Sequence, residues 1–97
     1  MLRMKNPAHP GEMIRETLDE LGVSISDAAN ALGITRQQLH NVVAARSDLT
    51  TEMAIRLEKA LGSTADTWMS MQVNYNLTQA RRKYASLKVR RIQPKLA

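Results

Sequence analysis

Arg36, Gln37, Gln38, His40 and Asn41 fall within six positions directly after Thr35, and no acid occurs from Thr35 to Ser47. The amides of Gln and Asn carry a donor beside an acceptor, a pattern that pairs twice with adenine, while the Arg fork pairs twice with guanine. An ordinary solvated helix face mixes Glu with Lys, so amides and bases without a counter-acid point to a polyanion with readable edges. Leu39 and Val42 supply an apolar flank at helical spacing, which turns the polar flank outwards. The plain alternative is a helical hairpin with a polar solvent face, and periodicity alone divides the two about evenly.

Such a face must be carried by something rigid, and Ser24 to Arg46 has the proportions of a helix-turn-helix. Ser24-Ile25-Ser26-Asp27 reads as a capping-box variant that starts a first short helix. Ala28, Ala29 and Leu32 line that helix, with Ala29 small enough for another helix to come close. Gly33 supplies the positive φ of the turn, and Ile34 tucks an apolar side chain beneath it. Thr35 caps the second helix, expected over Arg36 to Ala44, whose N-terminal part would enter a major groove. A helix N-terminus with a hydroxyl cap also suits a phosphate.

The rest of the chain reads as helices around this pair. His9-Pro10-Gly11 opens a segment with Ile14, Leu18 and Leu21 at helical spacing, closed by Gly22. Pro10 is tolerated at a helix entry, where its missing N–H does no harm. Thr50 caps Thr51 to Leu61, with Met53, Ala54, Leu57 and Leu61 on one face and Gly62 at the end. A last long helix runs from about Thr64 to Arg82, with Trp68, Met71 and Tyr75 three or four residues apart. Trp68 with Met71 and Tyr75 reads more readily as core than as a ligand pocket. With Ala, Leu and Met abundant and no strand-period segment before residue 86, the fold class expected is all-α, with five helices. From Tyr84 to Pro94 a helical stripe (Ala80, Tyr84, Leu87, Arg91) competes with the strand-like alternation of Leu87-Lys88-Val89-Arg90.

Ninety-seven residues permit one domain, 8–80, and a short arm, 81–97. The absence of cysteine excludes disulfides, thiolate zinc sites and a thiol nucleophile. The start, Met1 to Lys5, does not lead into a signal-peptide core, and no stretch suits a bilayer, so a soluble cytoplasmic protein without membrane contact is expected. Charge is divided unevenly. Residues 1–66 carry seven bases and nine acids, whereas 67–97 carry seven bases and no acid. A basic tail is as often a solvated end as a functional one; the functional reading is attraction to nucleic acid. His9 and His40 are the only histidines, and His40 has no second metal ligand at i+3 or i+4. His9 is expected to brace the Pro10 turn. No nucleophile is paired with a base, so neither catalysis nor a cofactor is expected.

Ala29-Asn30-Ala31-Leu32-Gly33-Ile34-Thr35-Arg36-Gln37 resembles the helix-turn-helix of Xre/Cro-type repressors, of lambda-repressor-like fold. More narrowly, His9-Pro10-Gly11-Glu12, Leu49-Thr50-Thr51-Glu52-Met53-Ala54-Ile55-Arg56-Leu57 and Thr67-Trp68-Met69-Ser70-Met71-Gln72 resemble the HigA antitoxins, also called the VapI or addiction-module antidote type. The resemblance spans about residues 8 to 80. It implies a homodimer that binds an inverted-repeat operator, represses its own operon and neutralises a HigB toxin, an mRNA-cleaving ribonuclease of the RelE-like class. On this reading Gln37, Gln38 and Asn41 read bases, and Arg36 reads a guanine or holds phosphate. His40 contacts base or phosphate, and Ser24, Thr35 and Arg46 bind phosphate. One departure stands out: these proteins usually carry Gly after the recognition helix, in an Asn-Gly-Arg-like stretch, where this chain has Ala44-Ala45-Arg46. The helix is therefore expected to run on, or to end through Arg46 or Ser47.

Three other readings compete. An orphan Xre-family regulator would share the fold but lack a toxin partner. A protein-interaction adaptor would show no salt-dependent affinity for DNA. RNA binding through the arm would want stacking aromatics, and Tyr84 is the lone candidate there.

Overall fold

The computed structural model describes residues 7–96; Met1 to Lys5, read above for a leader, and Ala97 at the end of the arm lie outside them. Five helices follow in order: α1 (Pro10–Leu21), α2 (Ile25–Leu32), α3 (Arg36–Val43), α4 (Thr51–Leu61) and α5 (Ala65–Lys83). No strand occurs among the described residues. Each helix begins where a side chain accepts from an early backbone N–H: His9, Ser24, Thr35, Thr50 and Thr64 in turn. That contact satisfies one of the donors a helix start leaves free. At Ser24 only this half of the expected box is made. The full reciprocal box stands instead at Thr35, where Gln38 N–H donates to Thr35 Oγ1 at 3.0 Å and Thr35 N–H to Gln38 Oε1 at 2.8 Å.

α2 ends at Gly33, with φ at +73°. There Gly33 N–H donates to Asn30 O and Ile34 N–H to Ala29 O. This six-to-one and five-to-two pair closes a helix through a left-handed residue. α3 closes in the same way without a glycine. Ala45 N–H donates to Val42 O and Arg46 N–H to Asn41 O, and Ala45 takes φ +60°. The helix therefore does not run on: it ends through Arg46 and Ser47, whose N–H groups both donate to Asn41 O, one of the two outcomes the sequence allows. The loop bonds hold Ala45 in a conformation that its Cβ disfavours.

Inside, Ile14, Leu18, Ala28, Ala29, Leu32, Leu39, Val42, Val43, Leu49, Met53, Ala54, Leu57 and Trp68 form one buried cluster, with Ile25, Ile34, Leu61 and Met71 packed at its edge. Trp68 closes that core as the sequence suggests, and its indole N–H donates to Ser63 Oγ at 2.6 Å. α2 and α4 pack together, α3 lies against α1 and α2, and α5 against α4 and α1. The tightest approach is at Gly11 in α1. A Cβ there would lie 2.8 Å from the Val43 carbonyl oxygen and closer still to that of Val42. Gly11 thus lets the start of α1 rest on the last turn of α3.

Beyond α5 the chain leaves the fold. Tyr84–Ser86 turn, and residues 87–96 have neither helix nor strand and are exposed throughout. The molecule measures 62 × 27 × 26 Å with a radius of gyration of 17.4 Å, against about 12.5 Å for a compact chain of this length. The arm accounts for that elongation.

Candidate nucleic-acid interface

α3 is held from behind and open in front. Leu39 is fully buried and Val42 and Val43 nearly so, while Arg36, Gln37 and Gln38 are exposed and His40 and Asn41 half-buried. Among the described residues, Arg36, Gln37 and Gln38 on the amide-bearing flank are left open to solvent. Thr35 stands at its N-terminus, and exposed Arg46 follows its C-terminus in the loop to α4. Ser24, also exposed, caps a different helix, α2. The structure thus gathers Thr35 to Asn41 on one element, sets Arg46 just beyond it and leaves Ser24 at a second helix start.

Hydrogen bonds divide the amides by task. Gln38 Oε1 accepts from the Thr35 N–H, so this amide has a capping role, while its second lone pair and its NH2 group remain for an outside partner. A two-point match to adenine, expected of Gln38 from its residue type, would share that oxygen between the cap and the base. Gln37 Nε2 donates to Asn41 Oδ1 at 2.9 Å. The pair therefore presents the Gln37 oxygen and the Asn41 NH2 side by side, an acceptor and a donor borne on two residues one turn apart. Thr35 Oγ1 accepts from Gln38 N–H, and its own O–H is free to donate to a phosphate oxygen.

Several residues that sequence reasoning missed keep this face in place. Arg56 of α4 donates from Nη1 to the Leu32 carbonyl at 2.7 Å and from Nη2 to Glu52 at 3.2 Å. Its cation thus sits at the C-terminus of α2, where the helix dipole favours it, and braces the turn. Gln72 of α5 is 2% exposed, and its Oε1 accepts from Leu49 N–H at 2.7 Å. Its Nε2 donates to Asn76 Oδ1 at 3.0 Å, and Asn76 Nδ2 donates to Asp48 Oδ2 at 3.2 Å. A Gln at helical period in an otherwise apolar stripe was the available signal for Gln72. No local pattern marks Arg56.

His9 is 4% exposed and does brace the entry to α1: its Nδ1 accepts from Gly11 N–H at 3.0 Å. Its ring meets that of Tyr75 edge-on, with centroids 5.0 Å apart. Nε2 is buried without a hydrogen-bond partner among the described residues. Burial holds the imidazole below its ordinary pKa of 6.5, opposed by Asp48, the Ser47 backbone and Glu12. Neutral imidazole is the form that can accept from Gly11. Among the described residues no three potential metal ligands cluster, and no helix is long and apolar enough to cross a membrane.

Known proteins share both the sequence and the shape. Residues 14–68 match the helix-turn-helix family HTH_3. Virulence-associated protein A' of Dichelobacter nodosus is 41% identical over 78 residues, 79% of this chain and 68% of that protein. Antitoxin HigA-1 of Vibrio cholerae is 32% identical over 81 residues, 82% of this chain and 76% of its own. The solved structure of Pseudomonas aeruginosa antitoxin HigA with the higBA promoter superposes with a TM-score of 0.82 at 32% identity, covering 94% of this chain and all of that one. With the five helices, the capped turn and the open amide face of α3 in place, the chain belongs to the Xre-type helix-turn-helix family, among relatives that include the HigA antitoxins.

Proposed function

We propose that this protein is the antitoxin of a type II toxin–antitoxin module: a homodimer that binds an inverted-repeat operator, represses its own operon and neutralises a HigB/RelE-like mRNA-cleaving toxin by binding it. The observation that carries the DNA-binding part is the flank of α3 from Arg36 to Asn41, amide-rich and acid-free, with Arg36, Gln37 and Gln38 exposed among the described residues. A major groove is wide enough for such a helix, and phosphates on its walls suit Thr35, Ser24 and Arg46. Gln37, Gln38 and Asn41 are assigned to base edges, Arg36 to a guanine or a phosphate, and His40 to base or phosphate. The similarity to antitoxins, one of them solved with promoter DNA, supports the same reading. The protein is assigned no catalytic activity and a cytoplasmic place of work.

What supports a dimer is the apolar surface that the described residues leave uncovered. Val73 and Leu77 of α5 and Leu87, Val89 and Ile92 of the arm are large, apolar and exposed. A second copy is the partner assigned to this surface, and two-fold symmetry would set the two α3 helices about 34 Å apart, one turn of DNA. The arm, 81–97, serves that contact or the toxin's. The test is to titrate a duplex from upstream of the coding frame at several salt concentrations, and to co-express the product of the adjacent frame. Tight binding that weakens as salt rises, together with co-purification of a small basic ribonuclease, is expected. DNA binding without a co-purifying partner would leave an orphan regulator. Salt-independent or absent binding would leave a protein-interaction adaptor.

A further inference from the structure

We infer that Gln72 and Asn76 of α5 are positioning residues for the nucleic-acid interface: they draw the Asp48 carboxylate back towards α5 and so leave Arg46 as the charge that the loop presents to phosphate. The inference rests on the DNA-binding reading above.

The loop from Ala44 to Thr50 carries both signs within three residues, Arg46 and Asp48, and both are exposed. A carboxylate free to swing there would face the same phosphates as the arginine, and like charges repel across several ångströms of water. Each end of the loop is fixed. On the α3 side, Arg46 N–H donates to Asn41 O at 2.8 Å and Ser47 N–H to the same oxygen at 3.2 Å. On the α5 side, Gln72 accepts from Leu49 N–H at 2.7 Å, and the Leu49 side chain is buried in the core. Gln72 is itself buried, and both of its amide atoms are used, one on Leu49 and one on Asn76. Its amide is thereby locked in one orientation, so Asn76 must accept through Oδ1 and turn Nδ2 outwards. Nδ2 then meets the Asp48 carboxylate at 3.2 Å. A backbone amide in the core thus dictates, through two side-chain amides, where an exposed carboxylate points.

The test uses the full-length chain and two fluorescent duplexes of about 30 base pairs, enough for two half-sites: one of mixed sequence, one from upstream of the coding frame. Asn76 is exposed, so Asn76→Ala should fold and melt nearly as the parent does. Its affinity for both duplexes is expected to fall about threefold to tenfold at low salt, with the loss shrinking as salt screens the freed carboxylate. Asp48→Asn in the Asn76→Ala background should restore the parent affinity, because the unfavourable charge is then gone. A loss without that rescue, a loss independent of salt, or no loss at all would overturn the inference. Gln72→Leu gives a second reading if it folds, and its DNA loss should likewise be rescued by Asp48→Asn. Arg46→Ala on the parent background separates the two levels. If it weakens binding while Asn76→Ala does not, the positioning role alone is wrong; if it has no effect, the DNA-facing role of the loop falls with it.

Discussion

At the scale of the residue, a single atom decides several roles in this protein. Ala45 holds φ +60° at the end of α3, where both closing hydrogen bonds need a left-handed residue. Ala45→Gly should therefore raise stability by about 1 kcal/mol in urea unfolding, since the strain of a Cβ in that region exceeds the entropy that glycine adds. An unchanged or lower stability would contradict the strain argument. Gln38 shows the limit of residue type as a guide. Its amide matches the expectation of a base reader, and its oxygen also accepts from the Thr35 N–H, a second role that residue type alone does not reveal. The Thr-x-x-Gln spacing that makes a capping box was present all along. Thr35→Ala should lower stability by about 1 kcal/mol, as loss of a cap does, and should weaken binding to all DNA sequences alike. A sequence-dependent loss would mean that Thr35 reads bases.

At the scale of the element, the five helices were legible because each is bracketed by its own punctuation: capping Ser or Thr before α2 to α5, Pro10 at the first position of α1, and glycine after α1, α2 and α4. Their ends differ from expectation by a residue or so. What could not be read locally is how one helix rests on another. A close approach beyond the one expected at Ala29 is made by Gly11, against the backbone of Val42 and Val43, and its partner lies some thirty residues away in the chain. Gly11→Ala should cost about 1–3 kcal/mol, as overpacking does, and thermal melts would show it. A neutral change would mean that α1 can lift off α3. Arg56 and Gln72 were hidden for the same reason, because each serves a backbone group more than twenty residues distant. Gln72→Leu would bury the Leu49 N–H without a partner, at about 1–3 kcal/mol.

At the scale of the whole molecule, a folded body of helices carries an exposed arm, and the uneven charge of the sequence falls along that division. The sequence of the arm allows helix or strand; the described residues 87–96 form neither and are exposed throughout. Deleting residues 85–97 should leave the melting of the isolated body nearly unchanged but shift sedimentation towards the monomer. A dimer that persists in the truncated chain would assign the contact to α5 alone. The pH response also belongs to this scale. His9 is held below its ordinary pKa of 6.5 by burial, so on acidification the unfolded chain takes up that proton first. Its contribution is present in full above pH 6.5 and is lost as pH falls below it. Urea unfolding should show the decline on the acid side, and His9→Asn, which keeps a capping acceptor, should flatten it. An equally steep decline in that variant would place the titration elsewhere.

The exposed flank of α3 makes the account's central demand, that this face discriminates among base pairs. Its most direct measurement is the affinity of Gln37→Ala for a selected duplex and for a scrambled one at the same salt. The account predicts a loss of about 1–3 kcal/mol confined to the selected duplex and traceable to one position in it. Equal loss on both duplexes, or none on either, would contradict it.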